Sequence, residues 1–211
     1  MFHLLACVVA TFAMAIVPHP HVPKAIVLGG AAGKITCSYF TVPYNPEHLE
    51  GLKAGFRWHL GFAALDSEVP LTCGDVKIPP GKYKLDIRLV EGKGDAAKWE
   101  GMLKLITLVT AESAVQRAGR QSNEAKEKAE KALAELKAKL EAEGKVGEVT
   151  LPTSVFQAAS DEHLVMRVIS DGFETVSRTS VEPKSGIEFT LRLGWGDLHR
   201  ELTLKESFAK R

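Results

Sequence analysis

The sequence predicts a mainly β fold: an antiparallel β-sandwich, or a barrel-like variant of it, with one long inserted α-helix. Three observations carry that reading. Tyr83, Leu85, Ile87 and Leu89 alternate with Lys82, Lys84, Asp86 and Arg88, the two-residue period of a strand with one buried face. Phe189, Leu191, Leu193 and Trp195 repeat the signature against Glu188, Thr190, Arg192 and Gly194. Between these β blocks the period changes: Ala125, Ala129, Ala132, Leu133, Leu136 and Leu140 fall on one helical stripe, with Glu124/Lys128, Glu127/Lys131 and Glu135/Lys139 spaced four apart.

Taken from the N-terminus, Leu4 to Val17 is uncharged and almost wholly apolar. At about 14 residues it falls short of the roughly 20 that span a bilayer as a helix, and it suits the hydrophobic region of a cleavable signal peptide. The small-x-small pattern Ala13-Met14-Ala15 offers a cleavage site, and Pro18-His19-Pro20-His21-Val22-Pro23 follows as an extended linker. Residues 1–23 are therefore set apart from a single domain over 24–211, one core being the default for 211 residues. Cys7 leaves with the leader, so the mature chain keeps Cys37 and Cys73. In an oxidising compartment these two can pair as a disulfide; otherwise they are buried free thiols.

Strands are expected near Ile35 to Val42, Phe56 to Ala63, Val69 to Cys73 and Met102 to Val109. Val76 and Ile78 lead into Pro79-Pro80-Gly81, read as the turn of a hairpin with the strand at Tyr83 to Leu89. The helix is placed at about 113–143, with Ser113 and Gln116 at capping-box spacing and Gly144 in the left-handed cap position. Strands then resume near Val146 to Leu151, Leu164 to Ile169, Thr175 to Val181, Ile187 to Leu193 and Leu198 to Leu204.

The formal charge is +1, from 27 Lys and Arg against 26 Asp and Glu. It lacks the excess that a phosphate backbone or an anionic membrane selects for, so nucleic acid is not expected as a partner. Hydrophobic content of 45% and charged content of 25% are those of an ordinary globular chain. No His-Glu-x-x-His, no Gly-x-Ser-x-Gly and no phosphate-cradling glycine loop occurs, which removes the easily read metalloprotease, hydrolase and nucleotide-binding classes. His19 and His21 have no nearby Asp, Glu or Cys to complete a metal site, and His48, His59, His163 and His199 are scattered singly. No cofactor is expected.

The segments Gly33-Lys34-Ile35-Thr36, Phe56-Arg57-Trp58-His59-Leu60-Gly61, Gly74 to Leu85 with its Gly81-Lys82-Tyr83, and Leu191-Arg192-Leu193-Gly194-Trp195-Gly196 together resemble a bacterial exported family, catalogued as domain of unknown function 2911. The resemblance covers roughly 33–105 and 145–205. It implies a leader peptide, an early strand, a Trp-x-x-Gly segment, a hairpin whose turn ends in Gly-x-Tyr, and a late Trp-Gly before the final strand. Members often carry Arg-x-Gly and then Asn-Glu after the first tryptophan, where this chain has His59-Leu60-Gly61-Phe62-Ala63-Ala64. Only Trp58 and His59 are therefore kept as a candidate ligand face.

The expected function is an exported, non-catalytic binding or structural module, secreted or periplasmic, with an envelope protein or a glycan as partner. After leader cleavage it does not span a membrane. The alternative is a hydrolase of envelope or extracellular material using Asp66, Glu68, Asp161 or Glu162 as acid and base. Export predicts that the native protein, weighed intact, lacks its first 15 to 25 residues, the usual leader length; a mass that retains Met1 to Val17 contradicts it.

Overall fold

The structure is a computed structural model and describes residues 21–30, 33–59, 62–92, 97–170, 173–175, 180–181 and 188–206. The leader, its Ala13-Met14-Ala15 pattern, His19, Leu60 and Gly61 lie outside the described residues.

The chain makes two open, largely antiparallel sheets. The first is built from β1 (Pro23–Gly30), β2 (Gly33–Phe40), β4 (Ala64–Ser67), β7 (Gly81–Glu91), β8 (Lys98–Leu105), β9 (Glu148–Pro152) and β12 (Ser180–Val181), in the order β12-β1-β2-β4-β7-β8-β9. The short β3 (Arg57–Trp58) pairs with β7 off that path. The second sheet runs β11-β10-β13-β14-β5-β6, from β5 (Leu71–Cys73), β6 (Val76–Ile78), β10 (Asp161–Ser170), β11 (Phe173–Thr175), β13 (Glu188–Gly196) and β14 (Leu198–Glu206). Only the β1/β12 pair is parallel among the described pairings. The inner faces share one hydrophobic core, to which Leu85, Ile87 and Leu89 of β7 and Leu191, Leu193 and Trp195 of β13 all belong, all essentially inaccessible. The alternation read in the sequence is thus the alternation of inner and outer faces, and the fold is the expected antiparallel sandwich.

Several local expectations change. Pro79-Pro80-Gly81 is not a hairpin turn: β6 lies in the second sheet and β7 in the first, so these residues carry the chain across the sandwich. Tyr83 secures the crossing by donating its hydroxyl to the Pro79 carbonyl at 2.7 Å. The true hairpin is one step earlier, where Gly74, at φ 56°, and Asp75 link β5 to β6. The strand expected over Met102 to Val109 ends at Leu105, and that expected over Phe56 to Ala63 shrinks to Arg57–Trp58. The Pro/His linker is already bound to the sheet at its end: Val22 donates to Thr41 Oγ1 at 2.9 Å and Pro23 opens β1.

The single helix is a helical hairpin, α1 (Ile106–Ala118) and α2 (Asn123–Ala142). The break falls at Gly119, and the side-chain cap is Ser122, which accepts from the Ala125 amide at 3.1 Å, rather than Ser113. Gly144 does adopt the left-handed conformation, at φ 63°. Each helix buries a single residue, Leu108 in α1 and Leu140 in α2. The hairpin is held by itself and by the root of α1, outside the core shared by the sheets.

Cys37 and Cys73 are both buried and unbridged. They lie in different sheets, on β2 and β5, and each fills an apolar position. Burial pushes the Cys37 thiol from 9.0 up to about 12. A folded-state value above the unfolded one stabilises the fold below pH 9, and that contribution disappears as pH rises towards 12. Between pH 8 and 11 the native protein should lose roughly 2–3 kcal/mol more stability than Cys37→Ala, whose baseline is lower but flatter. Denaturant titrations at each pH check this, and parallel pH profiles for the two proteins would refute it.

Candidate functional site

The site is organised by Trp195, the last inward-facing aromatic of β13. Its indole is 1% exposed, and its Nε1 donates to the carbonyls of Val42 and Pro43, each at 3.1 Å. Trp58 lies against it with ring centroids 4.1 Å apart, Tyr44 meets it edge-on at 5.2 Å, and His48 stacks at 6.0 Å. Both flanking glycines are required by close approach. A Cβ on Gly194 would collide with the Asp161 carboxylate, and one on Gly196, which also sits at φ 57°, would enter the Tyr44 ring. Backbone bonds complete the junction: Tyr44 N donates to Glu162 O at 2.8 Å, and Leu164 N donates to Val42 O at 2.7 Å. The segment after β2 is thereby fixed to the second sheet. Asn45 Oδ1 then caps the short turn Pro46–His48 by accepting from Glu47 N at 3.0 Å.

Beneath this junction is a part-buried ionic group. Arg167 binds Asp161 through two hydrogen bonds, at 2.6 and 3.1 Å. His199 Nε2 is 3.4 Å from Asp161 Oδ2, and this ring nitrogen is buried without a hydrogen bond. The imidazole also lies 5.1 Å from the Phe156 ring, which Arg192 approaches at 4.7 Å.

Beside the junction opens a cleft of about 830 Å³. The segment after β2 supplies Tyr44, Leu49 and Leu52; β7 and β8 supply Leu89 and Trp99; the chain after β9 supplies Val155 to Ala158; and the start of β14 supplies Leu198, His199 and Arg200. Most of the wall is apolar or aromatic. Its charged members are the exposed Glu50 and Asp197 and the buried Arg200, which is 6% exposed. Arg200 donates Nη1 to His199 O at 2.7 Å and Nη2 to Ala97 O at 3.0 Å. Burial lowers its pKa from the ordinary arginine value. No carboxylate among the described residues lies within ion-pair distance of it.

The candidate ligand face divides. Trp58 packs inward on Trp195, whereas His59 is exposed on the outer side of β7, 2.9 Å from Asp86 Oδ1 and 2.7 Å from Lys84 Nζ. Neighbouring residues of an extended chain point to opposite sides, so the pair does not share a surface. The four candidate acids are each engaged outside the cleft. Asp66 pairs with Lys82 at 2.9 Å, Glu68 accepts from Lys34 N at 2.9 Å, Asp161 is held by Arg167, and Glu162 contributes its backbone to Tyr44. None of the four lines the cleft. Among the described residues no cluster of three or more His, Cys, Asp or Glu is placed to hold a metal ion.

Arg200 carries a signal in the sequence as well. It is in phase with Leu202 and Leu204, so a charged side chain occupies an inward position of an alternating strand. Comparison with family models, with curated proteins and with solved structures found no match, so the reading of the site rests on its geometry.

Proposed function

We propose that this chain is an exported, non-catalytic binding module of the cell envelope or periplasm, which takes a ligand with an apolar or aromatic body into the cleft beside Trp195. The observation that carries the reading is the cleft: about 830 Å³, within the ~300–1,000 Å³ of small-molecule sites, and walled mainly by apolar and aromatic side chains around a few polar groups. Export draws its support from the apolar run Leu4 to Val17, and membership of domain of unknown function 2911 from the Gly194-Trp195-Gly196 and Gly81-x-Tyr83 segments. No helix among the described residues is long and apolar enough to cross a membrane. The hydrolase reading draws no support from the cleft, which none of Asp66, Glu68, Asp161 and Glu162 lines.

Ala158 is exposed at the cleft and offers a place to obstruct it without touching the core. The neutral fluorophore N-phenyl-1-naphthylamine should bind the native protein saturably, and Ala158→Trp should weaken that binding at least about fivefold, close to 1 kcal/mol, with unchanged circular dichroism. Equal binding by the two proteins would show that the fluorophore sits elsewhere and would overturn the cleft as the binding site.

A further inference from the structure

We propose that Arg200 is the anion-recognition point of this cleft and that the ligand it selects is a monocarboxylate borne on an apolar or aromatic body. The inference rests on the cleft being a binding site and adds the chemistry of what is bound.

Arg200 stands out by its charge environment. The other described arginines on the strands are paired: Arg57 with Glu148, Arg88 with Glu100, Arg167 with Asp161 and Arg192 with Glu201. Arg200 is more deeply buried than these, yet its hydrogen bonds go only to two backbone carbonyls. A guanidinium has five N–H donors, so donors remain after the bonds to His199 O and Ala97 O are made. A buried charge without a counter-charge is costly, and a bound anion supplies the missing one. The two carbonyls also hold the guanidinium in one orientation, so a carboxylate meets a preorganised planar donor set.

The neighbouring charges select among anions. Glu50 and Asp197 stand exposed at the same cleft. Their charges oppose entry of a dianion, and a phosphate carries about −1.5 to −2 at neutral pH. A single carboxylate is repelled less and is neutralised fully by one guanidinium. The aromatic and aliphatic walls, Trp99, Phe156, Leu49 and Leu52, account for the apolar body.

Trp99 lines the cleft and provides an intrinsic fluorescence signal. On the whole protein at neutral pH, 3-phenylpropionate should bind at least about tenfold more tightly than its neutral isostere 3-phenylpropanamide, and more tightly than 2-phenylethyl phosphate, a phosphate monoester with a charge of about −1.5 to −2. Arg200→Gln should abolish the preference for acid over amide, while Arg200→Lys, which keeps the buried charge, should retain part of it. The comparison of acid with amide uses the unaltered protein, so the question does not depend on whether the Gln variant folds. Acid and amide binding equally would overturn the role of Arg200 and leave the cleft reading standing; a preference for the phosphate ester over the carboxylate would overturn the monocarboxylate selection. If none of these compounds nor N-phenyl-1-naphthylamine binds the native protein, the cleft reading falls and this inference falls with it.

Discussion

The indole of Trp195 makes one hydrogen-bonding group serve two sheets, and the shape of this end of the sandwich follows from that. It belongs to the second sheet, but its N–H is accepted by Val42 and Pro43, which follow the last residue of β2 in the first. Trp58, Tyr44 and His48 then close around its ring. Large aromatic side chains contribute most when both their area and their polar tip are satisfied, and Trp195 meets both conditions at 1% exposure. The steric requirement is as strict as the energetic one. Gly194 and Gly196 leave room for Asp161 and Tyr44, so the Gly-Trp-Gly segment acts as a unit.

The cleft is a consequence of this junction. Once the chain after β2 is held to β10 by the Tyr44 and Leu164 amides, Leu49 and Leu52 are carried to one side of an opening whose other side is Trp99 and Phe156. The β13–β14 turn at Gly196 and Asp197 brings Leu198, His199 and Arg200 to its wall. A rigid sandwich end therefore presents a fixed apolar wall and a buried guanidinium to solvent. Arg200 is held there by two carbonyls, and none of Asp66, Glu68, Asp161 and Glu162 lines the opening.

The layers of the fold were legible because a half-buried strand writes its period directly into the sequence, as β7 and β13 do. Connections were less legible. Pro79-Pro80-Gly81 has the composition of a hairpin turn, but turn chemistry specifies a local bend and does not say which sheet the next strand joins. The boundary at Ile106 was hidden because Leu105, Ile106 and Leu108 suit a strand or a helix equally, and no side chain caps α1. At the site, the Trp-Gly segment stood out as a pattern, and its partners did not. Val42 and Pro43 are more than 150 residues from Trp195 and accept through backbone oxygens, which carry no residue-type signal. Arg200 was visible only as a charge out of place in an alternating strand.

Trp195 locally fastens the segment after β2 to the second sheet. Native-state amide hydrogen exchange in Trp195→Phe tests it most directly, because the substitution removes the N–H donor and keeps an aromatic ring. The amides of Tyr44 and Leu164, which bridge the two sheets beside the indole, should lose at least about tenfold in protection, roughly 1.4 kcal/mol of local opening free energy, while the amides of Leu85 and Leu191 in the strand centres should change far less. An equal loss of protection at all four amides, or none at Tyr44 and Leu164, would contradict it.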